Sequence, residues 1–449
     1  MKKLLFILLS CSLIIISCTD SKEEGSGTLP KELALSATKF TWDTNVRLQK
    51  LEIYSDSDWN IESSVNWCSP YKKSGTGNYN IALWVNPNIT AESRTGTITV
   101  TSNNTKHIIN IEQPAYSSDT NYVYHLPLIF HVMYNDSTDT TKYVKKGWLS
   151  KIINVVNNIY KYNKTNIQFE MALINENGDT LKEPGIIRHK VSFSNYDCEK
   201  FLSEDASNSK YAEYAQNLKR YINLYVYRFT DDNILGISDM AVMPKNYALN
   251  GLVSTNAANS ITKTDYPFGC CINNKYIYET ENDGYYNPYF IAITLGHELG
   301  HYIGLLHSFS ENGCDDNDYC EDTHSCDYTS YTKNLKLQFD SLSVKYGGDK
   351  YVTLDQISTR EGCDGIQYVA DNIMDYVYCL SDTITGDQRT RFNHVLHYGS
   401  LIPGPKLVDI SSLSSRATSE VFTPQISNCP SIKPVGTTRS TGIIRFKRK

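Results

Sequence analysis

Between His297 and His307 the chain reads HELGHYIGLLH, a stretch that holds three of its ten histidines and a glutamate. Histidines at positions i and i+4 of a helix share a face, so His297 and His301 can offer their imidazoles to one ion. Two ligands do not hold a metal tightly, and Gly304 provides the route to a third. Glycine accepts φ > 0, so the helix can end there and the chain can turn back to bring in His307. Three nitrogen ligands leave a fourth tetrahedral position open to water, which separates a catalytic Zn2+ site from a closed structural one. Glu298, beside the first ligand, is placed to take a proton from that zinc-bound water and deliver it to a leaving amine, while the ion polarises the scissile carbonyl. The chemistry is amide hydrolysis. Five specified positions recur by chance on the order of once in 10⁴ sequences, which sets aside a helix with incidental histidines.

The same stretch matches the extended HExxHxxGxxH pattern and resembles the metzincin metalloproteases. That resemblance implies a methionine-bearing turn beneath the metal, and DNIMDYVYC supplies one downstream. By the resemblance Met374 is a hydrophobic floor and not a ligand, and Tyr376 is a donor to the tetrahedral intermediate. Through GLLHSF, GCDDNDYCEDTHSC, NIMDY and TITGDQRTRF, residues 122–400 look most like the pappalysin subfamily. There are two departures. His324 follows Asp322-Thr323 where the family usually has proline. Val377 and Tyr378 follow the methionine turn where some relatives carry an acidic residue tied to basic specificity, which leaves a preference for Arg or Lys in doubt.

Asp315, Asp316, Asp318, Glu321 and Asp322 are hard oxygen ligands, and relatives hold calcium near this region. Their spacing fits no EF-hand, so Ca2+ and a solvated acidic loop both stay open. Cys314, Cys320, Cys326, Cys363 and Cys379 are expected to tie this loop to the methionine turn through disulfides worth roughly 2 to 4 kcal/mol each. His324, His394 and His397 read as surface or partly buried polar residues. The vicinal pair Cys270-Cys271 could include a free thiol, and a thiol that caps zinc is a conceivable latency device.

These residues need a scaffold. YVYHLPLIFHVMYN reads as a buried strand, and GWLSKIINVVNNIYKYN as a helix with Trp148, Ile152, Ile153, Val156 and Ile159 on one face and Ser150 as a candidate cap. IQFEMALI and INLYVYRF are further strands. PYFIAITLGHELGHYIGLLH is a helix whose apolar face runs through Ile291, Leu295 and Leu299, and TGDQRTRFNHVLHY is the last one recognisable. Strand, helix, strands, helix is an α/β order.

The N-terminal half has a different period. From residue 31 to 115, short alternating strands such as LQKLEIYS, YNIALWVN and RTGTITVTS are broken by turn material, which predicts a small antiparallel sandwich. SDWNIES, NWCSP, SGTGNYNIALWVNPN, SRTGTITVTS and IEQPA closely resemble a BACON domain, an immunoglobulin-like module of Bacteroidetes lipoproteins. The resemblance implies a glycan or mucin binder, or a spacer that holds an enzyme off the membrane. Trp59, Trp67 and Trp84 are candidates for a sugar platform or, by the commoner use of strand tryptophans, for the core. Cys68 reads as a buried thiol.

Upstream, MKKLLFILLSCSLIIISC is a secretory signal, too short and too early for a membrane span. Its end resembles a lipobox with Cys18 as the lipidated first residue, and Asp20, Glu23 and Glu24 resemble the acidic signal that sends such lipoproteins to the cell surface. Export favours disulfides. A net charge of -6 and a pI near 6.0 give no basic footprint for nucleic acid.

The expected architecture is therefore multidomain. It comprises a signal peptide (1–17), a tether (18–30), an all-β immunoglobulin-like sandwich (31–115), an α/β zincin-like metzincin domain (122–402) and a polar tail (403–449). The expected function is that of an outer-membrane, surface-exposed zinc endopeptidase, bound to the membrane by its lipid and acting on proteins or peptides. The alternative from another class is a surface adhesin that binds glycan or mucin through residues 31–115, with a secondary or inactive protease fold.

Overall fold

A computed structural model describes residues 32–430 apart from 45–46, 117–121, 204–210, 281–286, 288, 377 and 409–424. The stretch expected to be a signal peptide, Cys18, the expected tether and Val377 lie outside the described residues. Among the described residues no helix is long and apolar enough to cross a membrane.

Nine strands build the N-terminal unit: β1 (Ala34–Leu35), β2 (Lys39–Thr41), β3 (Leu48–Tyr54), β4 (Asp58–Ser63), β5 (Cys68–Pro70), β6 (Ser74–Thr76), β7 (Tyr79–Val85), β8 (Arg94–Ser102) and β9 (Thr105–Gln113). They form a four-stranded sheet ordered β1-β3-β7-β5 and a five-stranded one ordered β2-β9-β8-β4-β6. Alternate residues of each sheet turn inward, so Leu51, Ile53, Ile81 and Leu83 of the first meet Trp59, Ile61, Ile98, Val100 and Ile109 of the second in one core. Trp59 is fully buried and donates its indole N–H to the Gly77 carbonyl at 2.9 Å. Trp67 is also buried, under the Arg94 guanidinium, and Cys68 is a buried thiol pushed up to about 12 by its burial.

The larger region follows with β10 (Tyr124–Tyr134), α1 (Thr140–Tyr143), α2 (Trp148–Tyr162), β11 (Ile167–Met171), β12 (Ile186–Lys190), α3 (Cys198–Ser203), β13 (Ile222–Tyr227) and β14 (Ile234–Asp239). It continues with β15 (Met243–Pro244), β16 (Ser254–Thr255), β17 (Cys270–Asn273), α4 (Ile291–Tyr302), α5 (Tyr328–Tyr346), α6 (Leu354–Ile357), β18 (Thr359–Glu361), β19 (Gln367–Val369), α7 (Gly386–Tyr398) and β20 (Ile426–Pro430). The main sheet runs β11-β10-β13-β17-β14-β20, with β12 also pairing β10. The pairs of β10 with β11, β12 and β13, and of β13 with β17, are parallel, whereas β14 and β20 pair antiparallel. Ile152, Val156 and Tyr160 of α2 and Ile291, Leu295 and Leu299 of α4 cover one sheet face over Leu128, Phe130, Leu224 and Ile272. The region is thus mixed and sheet-rich, with α2 and α4 packed in the same core cluster as the sheet.

Three sequence expectations change. Ser150 is not a cap: α2 begins two residues earlier, after Gly147 in the left-handed region. The nineteen-residue α5 had no clear sequence mark, because Tyr328, Leu335 and Phe339 are its buried residues and no continuous apolar stripe announces it. Within the polar stretch after residue 402, Ile426–Pro430 is a strand, since an edge strand needs main-chain partners more than apolar alternation.

The two units touch. Tyr71, Ala82 and Trp84 of the first pack with Ile129, Ala172 and Tyr221 of the second. Arg220 donates to the Ser69 hydroxyl at 2.7 Å and lies over the Tyr71 ring, and Arg47 pairs with Glu170 at 2.9 Å.

Candidate metal centre

Helix α4 carries His297, Glu298 and His301, and it ends where the glycine reading required. Gly304 has φ +97, and a Cβ there would meet Val395 Cγ2 at 2.6 Å. Its carbonyl accepts from the Arg391 guanidinium of α7 at 3.1 Å, which fixes the turn that returns His307. The result is convergence. His301 Nε2 lies 3.0 Å from both His297 Nε2 and His307 Nε2. The Nδ1–H of His297 donates to the Ile373 carbonyl at 2.8 Å, and that of His301 to the Leu305 carbonyl at 2.9 Å. A carbonyl can only accept, so these two rings carry their proton on Nδ1 and turn a lone pair inward on Nε2. Burial holds both rings neutral by driving their affinity for a second proton down, that of His297 to about 4. Inward lone pairs 3.0 Å apart repel one another unless a cation lies among them. The donor set therefore fits a borderline cation such as zinc.

Glu298 is fully buried, and neither carboxylate oxygen has a hydrogen-bond partner among the described residues. Desolvation raises its pKa well above the ordinary carboxylate value. Space for this side chain comes from Gly236 on β14, where a Cβ would lie 2.7 Å from Glu298 Oε1. That role was not legible in the sequence, since nothing local to Gly236 marks it.

Beneath the helix, Met374 is buried against Gly300, where a Cβ would stand 2.5 Å from the Met374 sulfur. The glycine inside HELGH is what lets the methionine approach. Asn372 accepts from the Met374 N–H at 2.9 Å and exchanges two hydrogen bonds with Gln388 of α7, at 2.9 and 3.0 Å. Asp375 accepts from Arg360 at 2.6 and 2.7 Å in a buried pair, and Arg360 also lies over the Tyr331 ring. The Tyr376 ring stands 5.6 Å from that of His297 and 4.5 Å from that of His307. Met374 and Tyr376 are thus brought to the three histidines, while Asn372, Gln388, Arg360 and Asp375 went unremarked in the sequence. NIMDY and its following helix start were visible as motifs, but the partners that lock them lie far along the chain.

Residues 205–397 match the family of pregnancy-associated plasma protein-A, a peptidase family, and residues 57–114 match BACON, an N-terminal binding-domain family. The chain joins a pappalysin-type peptidase region to a BACON domain. A xyloglucan-specific endo-β-1,4-glucanase of Bacteroides ovatus is 32% identical over 117 residues, which are 26% of this chain and 23% of that protein. The chain therefore spans less than a quarter of the length of this curated relative. Among solved structures, a Bacteroides ovatus xyloglucanase in complex with a heptasaccharide is 16% identical with a TM-score of 0.19, over 44% of this chain and 38% of that one. A protein from Bacteroides thetaiotaomicron, solved by NMR, is 15% identical with a TM-score of 0.16, over 23% of this chain and 100% of that one.

The acidic loop of the peptidase region is engaged with itself and with α7. Asp316 accepts from the Glu311 and Asn312 amides, Asp318 from the Cys320 amide and the Thr323 hydroxyl, and Asp322 from the Asp387 amide. Among the described residues the group of three ligand atoms that gathers within 4.8 Å is the histidine triad, and Asp315, Asp316, Asp318, Glu321 and Asp322 form no such group.

The expected disulfide set is corrected. Cys314 bonds Cys363, which staples the loop to the turn between β18 and β19 and not to the methionine turn. Cys320, Cys326 and Cys379 are buried thiols, each with a polar neighbour of its own: the Asp318 carbonyl, Arg360 and the Asn372 carbonyl. Cys270 and Cys271 project to opposite faces of β17, and Cys270 approaches the Ser238 hydroxyl and the Glu298 backbone carbonyl. His394 contacts the Tyr247 carbonyl and His324 stacks on Tyr368, both apart from the triad.

Proposed function

We propose that this protein is a zinc endopeptidase of the metzincin kind, exported and held at the outer surface of the cell by a lipid on Cys18. In this reading residues 18–30 are the tether, 31–115 an immunoglobulin-like sandwich and 122–402 the peptidase domain. The observation that carries the peptidase reading is the convergence of the three imidazole Nε2 atoms beside a buried carboxylate without a partner. His297, His301 and His307 would hold the ion, which when bound supplies Lewis acidity toward a carbonyl and toward water.

The chain's own residues do the rest. Glu298 takes a proton from the attacking water and passes it to the departing amide nitrogen. Its buried setting, which favours the protonated carboxyl, suits it to hold that proton between the two transfers. Tyr376, beside His297 and His307, directs its hydroxyl to the carbonyl oxygen as charge builds there. Met374 seats α4 from below.

Glu298→Gln tests the reading. The variant should bind one zinc per chain, as the parent does, while cleavage of an unfolded protein substrate falls by about 10³-fold, within the range for loss of a general acid–base group. Cleavage that survives the substitution would remove the assignment. For the anchor, Cys18→Ala should abolish incorporation of labelled fatty acid and release the chain from membranes.

The glycan-binding alternative draws on the resemblance to the glucanase, but the tryptophan trio does not form an exposed face for it, and Trp67 and Trp84 line the cleft at the junction of the two units. Trp59 and Trp67 are buried and Trp84 faces the junction between the two units. Docking against the peptidase region is the use of the BACON domain that these contacts support.

A further inference from the structure

The outer edge of β14 is a main-chain docking edge, and its occupant is a segment of this same chain. β20 pairs with β14 antiparallel, with Ser238 opposite Ser427 and Asp239 opposite Ile426, and the ladder continues as the Met240 amide donates to the Gln425 carbonyl at 2.8 Å. Gly236, two residues from Ser238 on β14, is the residue that faces Glu298. Ser427 lies across the ladder from Ser238, on the same side of the sheet, and its hydroxyl stands 3.4 Å from His307 Nε2, one of the three converging nitrogens. Successive strand residues alternate faces. Ile426 therefore turns the other way and packs with the cluster around Phe201, Tyr225 and Ile237. The segment thus has an apolar anchor on one face and a small polar side chain over the site on the other.

We infer that Ile426–Pro430 is an intramolecular inhibitor: an extended peptide that competes with substrate for the β14 edge and covers the peptidase site. The inference rests on the peptidase reading above. A polar segment brought back to an edge strand gains main-chain hydrogen bonds without a core of its own, as in β-strand addition. Because it is tethered, it acts at an effective concentration in the mM range, so modest intrinsic affinity suffices to hold the site closed. Removal or displacement of the segment would open the site.

The test uses the full chain, a chain that ends at Val408, and the full chain with Ile426→Asp, which keeps every other residue but removes the apolar anchor. Both altered chains should cleave a peptide substrate with kcat/KM about tenfold or more above the parent. A synthetic peptide of residues 423–432 should inhibit the shortened chain competitively. A second readout needs no turnover. In metal-free protein, amide exchange across Gly236–Met240 should speed up in both altered chains and slow again when the peptide is added to the shortened one. Failure of the peptidase reading would show as no cleavage in any chain while the exchange pattern persists. The inference is overturned if exchange at β14 is unchanged, if the peptide neither binds nor protects, or if both altered chains lose activity and melting temperature together, which would make β20 a structural strand only.

Discussion

At the scale of single residues, the site shows how burial sets chemistry. Glu298 and Asp239 are both fully buried carboxyls, yet they sit in different settings. Glu298 lies beside the histidines without a partner among the described residues. Asp239, at the end of β14, accepts from the Gly269 amide at 2.8 Å, and its other oxygen has no partner among the described residues. Burial pushes the Asp239 carboxyl up to about 8 from an ordinary 3.8, against the smaller pull of the Gly269 hydrogen bond. The folded chain therefore keeps a proton between about pH 4 and 8 that the unfolded chain has lost. Stability contributed by this group is complete below about pH 4 and falls as pH rises to about 8, by about 1.4 kcal/mol per unit in the limit of a full proton difference. Asp239→Asn cannot ionise and can still accept from Gly269. Urea midpoints measured from about pH 5 to 8 should decline more steeply for the parent than for the variant. Parallel curves would show that Asp239 does not hold its proton in the folded state.

At the scale of elements, the parts that could be read from sequence are those whose function is local. α4 was legible because its two histidines and its apolar face follow one helical period, and Gly304 because a left-handed turn calls for glycine at that position. α7 was legible as the stretch TGDQRTRFNHVLHY, although the capping box that Thr385 and Gln388 form at its start is seen only in the structure. What stayed hidden depends on partners distant in sequence: Gly236 beneath Glu298, β20 on the β14 edge, and Arg360 against Asp375. The last of these makes a prediction about the methionine turn. Arg360 and Asp375 are almost wholly excluded from water, and Asp375 also accepts from the Tyr376 amide at 2.6 Å, so the pair holds the turn that places Tyr376. Asp375→Asn or Arg360→Met alone leaves a buried charge unpaired and should cost about 3 to 5 kcal/mol. The double variant should recover much of that loss, and a denaturant double-mutant cycle reads the coupling. Additive single effects would mean the pair does not act as a unit. The covalent staple nearby is of similar weight: Cys314–Cys363 closes a loop of 49 residues, for which chain entropy gives roughly 4 kcal/mol.

At the scale of the whole molecule, the question is whether the BACON domain and the peptidase region unfold as one body. The strand period separated the two in the sequence, but it does not predict contact across a boundary, because the surfaces that meet are outward faces of each sheet. Tyr71 is the centre of that contact. Its ring lies under the Arg220 guanidinium, its hydroxyl accepts from that of Tyr221 at 3.3 Å, and Gly178 approaches so closely that a Cβ there would lie 2.9 Å from Tyr71 Cβ. Arg47 and Glu170 add an ion pair across the boundary, but it is partly solvated and contributes at most about 1 kcal/mol, so the buried aromatic cluster contributes more to the contact than the charges do. Tyr71→Asp removes the ring that packs with Ile129 and Ala172 and leaves only a short carboxylate beside Arg220. Each unit keeps its own core, built from separate residues, so neither should unfold because of the change. Calorimetry on the parent should then show a single coupled transition, and the variant two, with the earlier one moved down by several degrees. If the parent already melts in two independent steps that Tyr71→Asp leaves unmoved, the contact carries no coupling and the BACON domain is a free spacer.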